Sequence, residues 1–345
     1  MTTANQLLLS DYIPRSELKV EEHITETPKF PVIDVHGHYG SVMKDESPEK
    51  AIADTIDFLK KYGIRRAVNL DGHNGEIQER VLRRSKPYGD FFITFASIDV
   101  KRVDDEDFDS YVKETLKKSK ANGIKGIKCW KSFGLGSKDM NGKYLRPDDK
   151  RYNVLWETAA ELELPVLIHI ADPIAFFHPT DRYNERLEQL IKHPDWAFNT
   201  PEFYKFEELM EMQERIIERN PKTTFIIAHG GSNSENLGYV SDCLDRYPNM
   251  NIDIAARIVE LGRKPYTARK FFIKYRDRIL FGTDSCPSWG IFPSYYRFLE
   301  TWDEYFNYSE NEKPEQGRWR IYGIGLEDEI LKKVYYQNAE RLLKL

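Results

Sequence analysis

The chain has 345 residues, 40% of them hydrophobic and 13% aromatic, which suits one large core better than several small domains. Its 51 basic and 56 acidic side chains leave a formal charge of -5, so nothing electrostatic favours nucleic acid or an anionic membrane, and a small neutral or anionic metabolite is the partner that remains. The first 30 residues carry too many charges and too short an apolar stretch for a signal peptide or membrane span, so a cytoplasmic location is expected and a homo-oligomer is left open.

After an N-terminal arm over residues 1–30, an extended run at 32–36 precedes a helical stretch from Pro48 to Tyr62 and a second run, "RRAVNLDG". A helical stretch from Gly75 to Ser85 leads to "FFITFASID", and a charged helix from Phe108 to Ala121 leads to "GIKGIKCW". A helix from Tyr152 to Leu162 then precedes "PVLIHI", and another from Glu207 to Arg219 precedes "TTFIIAHG". Helices from Leu237 to Tyr247 and from Pro265 to Tyr275 flank "MNIDIAA" and lead to "RILFGTD". Eight strand candidates alternating with helices predict a single α/β domain over 1–345, a (β/α)8 TIM barrel with a parallel sheet. No glycine-rich phosphate loop follows any strand, which argues against dinucleotide binding.

Two aromatic-rich stretches interrupt the alternation, from Asp172 to Tyr204 after strand five and from Ser285 to Tyr322 after strand eight. Long βα loops cover the carboxyl-end mouth of a barrel, so these are candidate lids and substrate walls. The three cysteines include no CxxC pair. Cys243 and Cys286 read as buried thiols, and Cys129 as facing away from the barrel interior if Lys128 faces into it.

Six residues stand where apolar runs give way to loops: His36 and His38 in "VIDVHGH", Lys128 in "GIKGIKCW", His169 in "PVLIHIADP", His229 in "TFIIAHGG" and Asp284 in "ILFGTDS". The carboxyl ends of strands are where a parallel barrel builds its active site. Two histidines two apart on a strand point to one face and can converge on one ion, to which His169 adds a nitrogen and Asp284 a carboxylate. A divalent ion held in this way makes water a nucleophile near neutral pH.

This pattern resembles the amidohydrolase superfamily, and within it the amidohydrolase-related branch that includes decarboxylases of the aminocarboxymuconate-semialdehyde type and several lactonases. The resemblance runs from Val32 to the carboxyl end and rests on Asp34, His36 and His38 as "DxHxH", on His169, His229 and Asp284, and on the closing "NAERLL", Asn338 to Leu343. It implies that His36, His38, His169 and Asp284 bind one ion, often zinc, with manganese or another first-row metal as the alternative, and that His229 is the catalytic acid or base. For Lys128 it implies either a carboxylated bridge between two ions or a substrate contact.

Arg257 is the best anion-binding candidate, since guanidinium grips carboxylates bidentately. His73, Trp130 and His178 stand where a substrate could be contacted, whereas His23 and His193 carry no positional argument. Asp34 shares the face of His36 and is expected to orient a ligand. The leading functional reading is a hydrolase of lactones, esters or amides in which Asp284 or His229 takes a proton from water. The alternative is a non-oxidative decarboxylase of an unsaturated or aromatic acid, and a metal-free binding protein is the third class.

Overall fold

The computed structural model describes residues 6–8, 11–284 and 291–345. Eight parallel strands pair in sequence order: β1 Val32–Gly37, β2 Ile64–Asn69, β3 Phe92–Ala96, β4 Gly126–Cys129, β5 Val166–Ile168, β6 Phe225–Ile227, β7 Met250–Asp253 and β8 Ile279–Leu280. Two backbone bonds join the last strand region to the first, Val35 N to Phe281 O at 3.0 Å and Asp284 N to His36 O at 2.8 Å. The result is the (β/α)8 barrel.

Strands β1 and β3 to β8 are buried at every position, the pattern of a parallel sheet covered on both faces. Its residues divide between two cores. Ile33, Val35, Val68, Phe95, Leu167, Ile226 and Leu280 form an inner core, with Ala339 and Leu343 of the helix Asn338–Leu343 packed into it. The second core lies between the sheet and its helices, and Cys129 belongs to it while Lys128, one residue earlier, reaches the inner site.

The helices bury one stripe each. In Phe206–Arg219 that stripe is Phe206, Leu209, Met210, Met212, Gln213, Ile216 and Ile217, the spacing of an amphipathic helix, and Glu208 caps its start by accepting the Lys205 amide at 2.8 Å. No helix among the described residues is long and apolar enough to cross a membrane.

The stretch after β5 folds into short helical turns, Ile174–Phe177, Leu187–Lys192 and Pro194–Trp196. It is fastened to the helix Ile258–Gly262 that follows β7 by Arg186, which pairs in the interior with Glu260. After β8, residues 285–290, including Cys286 and the start of the second aromatic stretch, lie outside the described residues. The described part of the arm runs along the surface. His23 bonds Asp303 through backbone and ring, at 2.7 and 2.5 Å, and the Lys29 amide donates to Glu300 at 3.0 Å.

Candidate metal centre and barrel mouth

The carboxyl ends of β1, β4 and β8 bring together His36, His38, Lys128 and Asp284. Asp284 Oδ1 lies 3.1 Å from His38 Nε2 and 3.5 Å from His36 Nε2, and Lys128 Nζ lies 3.5 Å from His36 Nε2. The other nitrogen of each histidine is held by a carboxylate: His36 Nδ1 by Asp253 and His38 Nδ1 by Asp71, both at 2.8 Å. Since an ionised carboxylate only accepts, each ring carries a proton on Nδ1 and turns its Nε2 edge toward Asp284.

A second pair stands beside this cluster. His229 Nε2 is 3.2 Å from His169 Nδ1, and the His229 ring centroid is 4.8 Å from that of His36. His229 Nδ1 donates to Ala255 O at 2.9 Å, while His169 Nε2 faces Asp172 at 3.2 Å, whose other oxygen accepts from Lys131 at 3.0 Å. The two nitrogens of His169 thus point to His229 and Asp172.

Burial would push the His38 ring down, but its bonds to Asp284 and Asp71 lift it to about 9. Burial also opposes ionisation of Asp284, yet His36, His38 and Lys128 together hold that carboxyl below the usual carboxylate range. Removal from water lowers Lys128 to about 8 and His169 to about 4, and drives His229 well below an ordinary histidine, with His169 and Arg257 adding to the effect. Burial and these neighbouring charges thus favour the uncharged His229 ring.

The donor set suits a divalent cation. His36, His38 and Asp284 offer one ligand atom each, all within 4.8 Å of one another, and the carboxylates behind them, Asp253 buried and Asp71 partly exposed, supply the charge and the ring orientation that such sites use. His36, His229 and Asp253 also bring ligand atoms within 4.8 Å, but the Asp253 oxygens already accept from His36 Nδ1 and from the His229 and Ala255 amides.

The remaining candidates separate. His73, Trp130 and Lys128 share a groove of about 380 Å³ with Asn74, Ser97 and Phe133, and the His73 and Trp130 rings stack at 5.7 Å. Trp130 Nε1 is buried with no hydrogen-bond partner among the described residues. Arg257 is 6% exposed and donates to Ala256 O at 2.9 Å; neither it nor Lys128 makes an ion pair within the described residues. His178 lines a different cavity, of about 680 Å³, with Tyr183, Glu235, Glu260 and Arg263. Asp34 is spent on the backbone rather than on a ring, accepting from the His36 amide and from the amide and hydroxyl of Thr283.

Four mouth residues hold left-handed backbone: His73, His229, Ala256 and Asp284, with φ of 49°, 58°, 55° and 61°. Such conformations cost energy in non-glycine residues and cluster at functional sites. Asp71, Asp172 and Asp253 are the polar residues that motif reading passed over. Each stands at or just past a strand end, the same signal that marked the histidines.

The amidohydrolase family model matches residues 33–345, and no curated protein matches the chain. Among solved structures, 2,6-dihydroxybenzoate decarboxylase superposes with a TM-score of 0.55 at 15% identity, covering 92% of this chain and 100% of that one. For 5-carboxyvanillate decarboxylase from Novosphingobium aromaticivorans, a structure with bound manganese, the values are 0.53, 12%, 92% and 98%. For 4-oxalomesaconate hydratase from Rhodopseudomonas palustris they are 0.52, 16%, 91% and 95%. At these identities the likeness is one of fold.

Proposed function

The chain belongs to the amidohydrolase family, and from that premise we propose that it is a metal-dependent hydrolase that directs water at a lactone, ester or amide carbonyl of a small metabolite. His36, His38 and Asp284, joined by His169, would hold one divalent ion, zinc first and manganese next. Bound there, the ion supplies the Lewis acidity that makes water nucleophilic and polarises a carbonyl. The observation that carries the reading is the convergence of the two Nε2 atoms on Asp284 Oδ1, each ring held from behind by its own carboxylate.

The chain's own groups account for the rest. His229 is uncharged, fixed by Ala255 O, and serves as proton acceptor and later donor, with Asp284 as the second acceptor. Lys128 and Arg257 hold anionic substrate groups, and His73 and Trp130 line the groove that receives the substrate body.

The decarboxylase reading has one observation in its favour: two buried basic side chains, Lys128 and Arg257, that make no direct ion pair among the described residues and so could take a substrate carboxylate. Two of the structural neighbours named above are decarboxylases of aromatic acids. Metal-replete protein should release acid from a panel of lactones, esters and amides, read with a pH indicator. Carbon dioxide from aromatic acids with no acid release from that panel would replace the hydrolase by the decarboxylase, and turnover that survives metal removal would sink both.

A further inference from the structure

Strand β7 supplies none of the proposed ligands, yet its last residue touches two of the groups on which the proposed function depends. Asp253 is fully buried. Its Oδ2 accepts from His36 Nδ1 at 2.8 Å, and its Oδ1 accepts from the His229 amide at 2.9 Å and the Ala255 amide at 3.0 Å. We propose that Asp253 is a positioning residue whose single carboxylate sets the tautomer of His36 and the left-handed backbone of His229 together. The proposal rests on the reading of His36 as a metal ligand.

The tautomer follows from hydrogen-bond inventory. With Asp253 accepting, the His36 proton stays on Nδ1, and Nε2 presents its lone pair toward Lys128 Nζ, 3.5 Å away. The opposite tautomer would set a ring lone pair against the buried Asp253 carboxylate at 2.8 Å and an N–H against Lys128 Nζ. The backbone role follows from geometry: His229 has φ 58° and ψ 50° in the short turn after β6, and the bond from its amide to Oδ1 holds it there. Ala255 O, two residues further along, takes His229 Nδ1 at 2.9 Å. One short segment thus fixes a ring on β1 and both the amide and the ring of the residue after β6.

The test is a histidine-ring ¹⁵N spectrum of metal-free protein, with the His36 signals identified by their loss in His36→Gln. Wild type should show His36 as the Nδ1–H tautomer. Asp253→Asn should show a mixture, together with a zinc dissociation constant, from chelator competition, raised about 10- to 100-fold. A wild-type ring protonated on Nε2 alone overturns the proposal, as does an Asp253→Asn protein with an unchanged tautomer and zinc affinity within about twofold of wild type. If Asp253→Asn does not fold, the wild-type spectrum decides. If wild type binds neither zinc nor manganese, the hydrolase reading falls, and the ring spectrum still judges Asp253.

Discussion

Asp71 holds His38 and the backbone that follows it at once: Oδ1 accepts from His38 Nδ1 at 2.8 Å and Oδ2 from the Gly40 amide at 2.8 Å. Asp71→Asn keeps the shape but takes away the charge that favours the Nδ1–H ring. Metal affinity should fall about 10- to 100-fold, as for other partners of ligating histidines. Calorimetric titration of metal-free protein with zinc measures this, and an unchanged constant would remove Asp71 from the site.

The interior pair of Arg186 and Glu260 predicts a large stability effect. Arg186→Met leaves the Glu260 carboxylate buried without its cation and should cost about 3–5 kcal/mol in urea unfolding. Glu260 Oε2 and Arg186 Nε already lack partners among the described residues, so the pair is incompletely satisfied. The double variant Arg186→Met/Glu260→Leu should therefore recover most of the loss.

Attachment of the arm should depend on pH. The bond and charge of Asp303 raise the His23 ring above its ordinary value, while burial raises Asp303 but the bonds from His23 and Arg297 more than reverse this. His23, with its pKa raised in the folded state, contributes fully below about 6.5 and loses that contribution as pH rises through its folded pKa. Asp303, with its pKa lowered, contributes above about 3.9 and loses that contribution as pH falls through its own. The tether is therefore strongest at pH about 4 to 6.5. Limited proteolysis within residues 6–28, corrected for protease activity, should be faster at pH about 8.5 than at about 6, and His23→Ala should flatten the profile.

Close approach inside the barrel makes Gly126 sensitive. A Cβ there would lie 2.4 Å from Phe95 Cζ and 2.5 and 2.6 Å from its two Cε atoms, and the Phe95 ring is fully buried. Gly126→Ala should destabilise by about 1–3 kcal/mol through overpacking. Adding Phe95→Leu should return part of that, read by thermal melts of the single and double variants.

The barrel was legible in the sequence because each strand is an apolar run ending in glycine, proline, serine or aspartate, and each intervening helix shows its stripe. Gly75–Ser85 and Phe108–Ala121 were bounded correctly to the residue. The histidine and aspartate ends were legible for the same reason. Pairings were not: whether Asp253 serves His36 or Asp71 serves His38 depends on which strand ends face one another across the mouth, and no local spacing encodes that. The alternation that placed Asp34 beside the His36 ring is interrupted by a register shift between Asp34 and Gly37. His178 lies in an irregular insertion, where neither the 2.0 nor the 3.6 period gives a direction.

The bonds that close the barrel, from Val35 to Phe281 and from Asp284 to His36, flank the candidate metal centre. Asp34 and Thr283, joined just behind it, stand 249 positions apart in the chain. During synthesis, a ribosome-bound fragment lacking the last strand would carry both first-strand histidines without the carboxylate that faces them. On the proposed reading, loading with metal would wait until nearly the whole polypeptide has emerged, and a truncated product would lack the assembled centre.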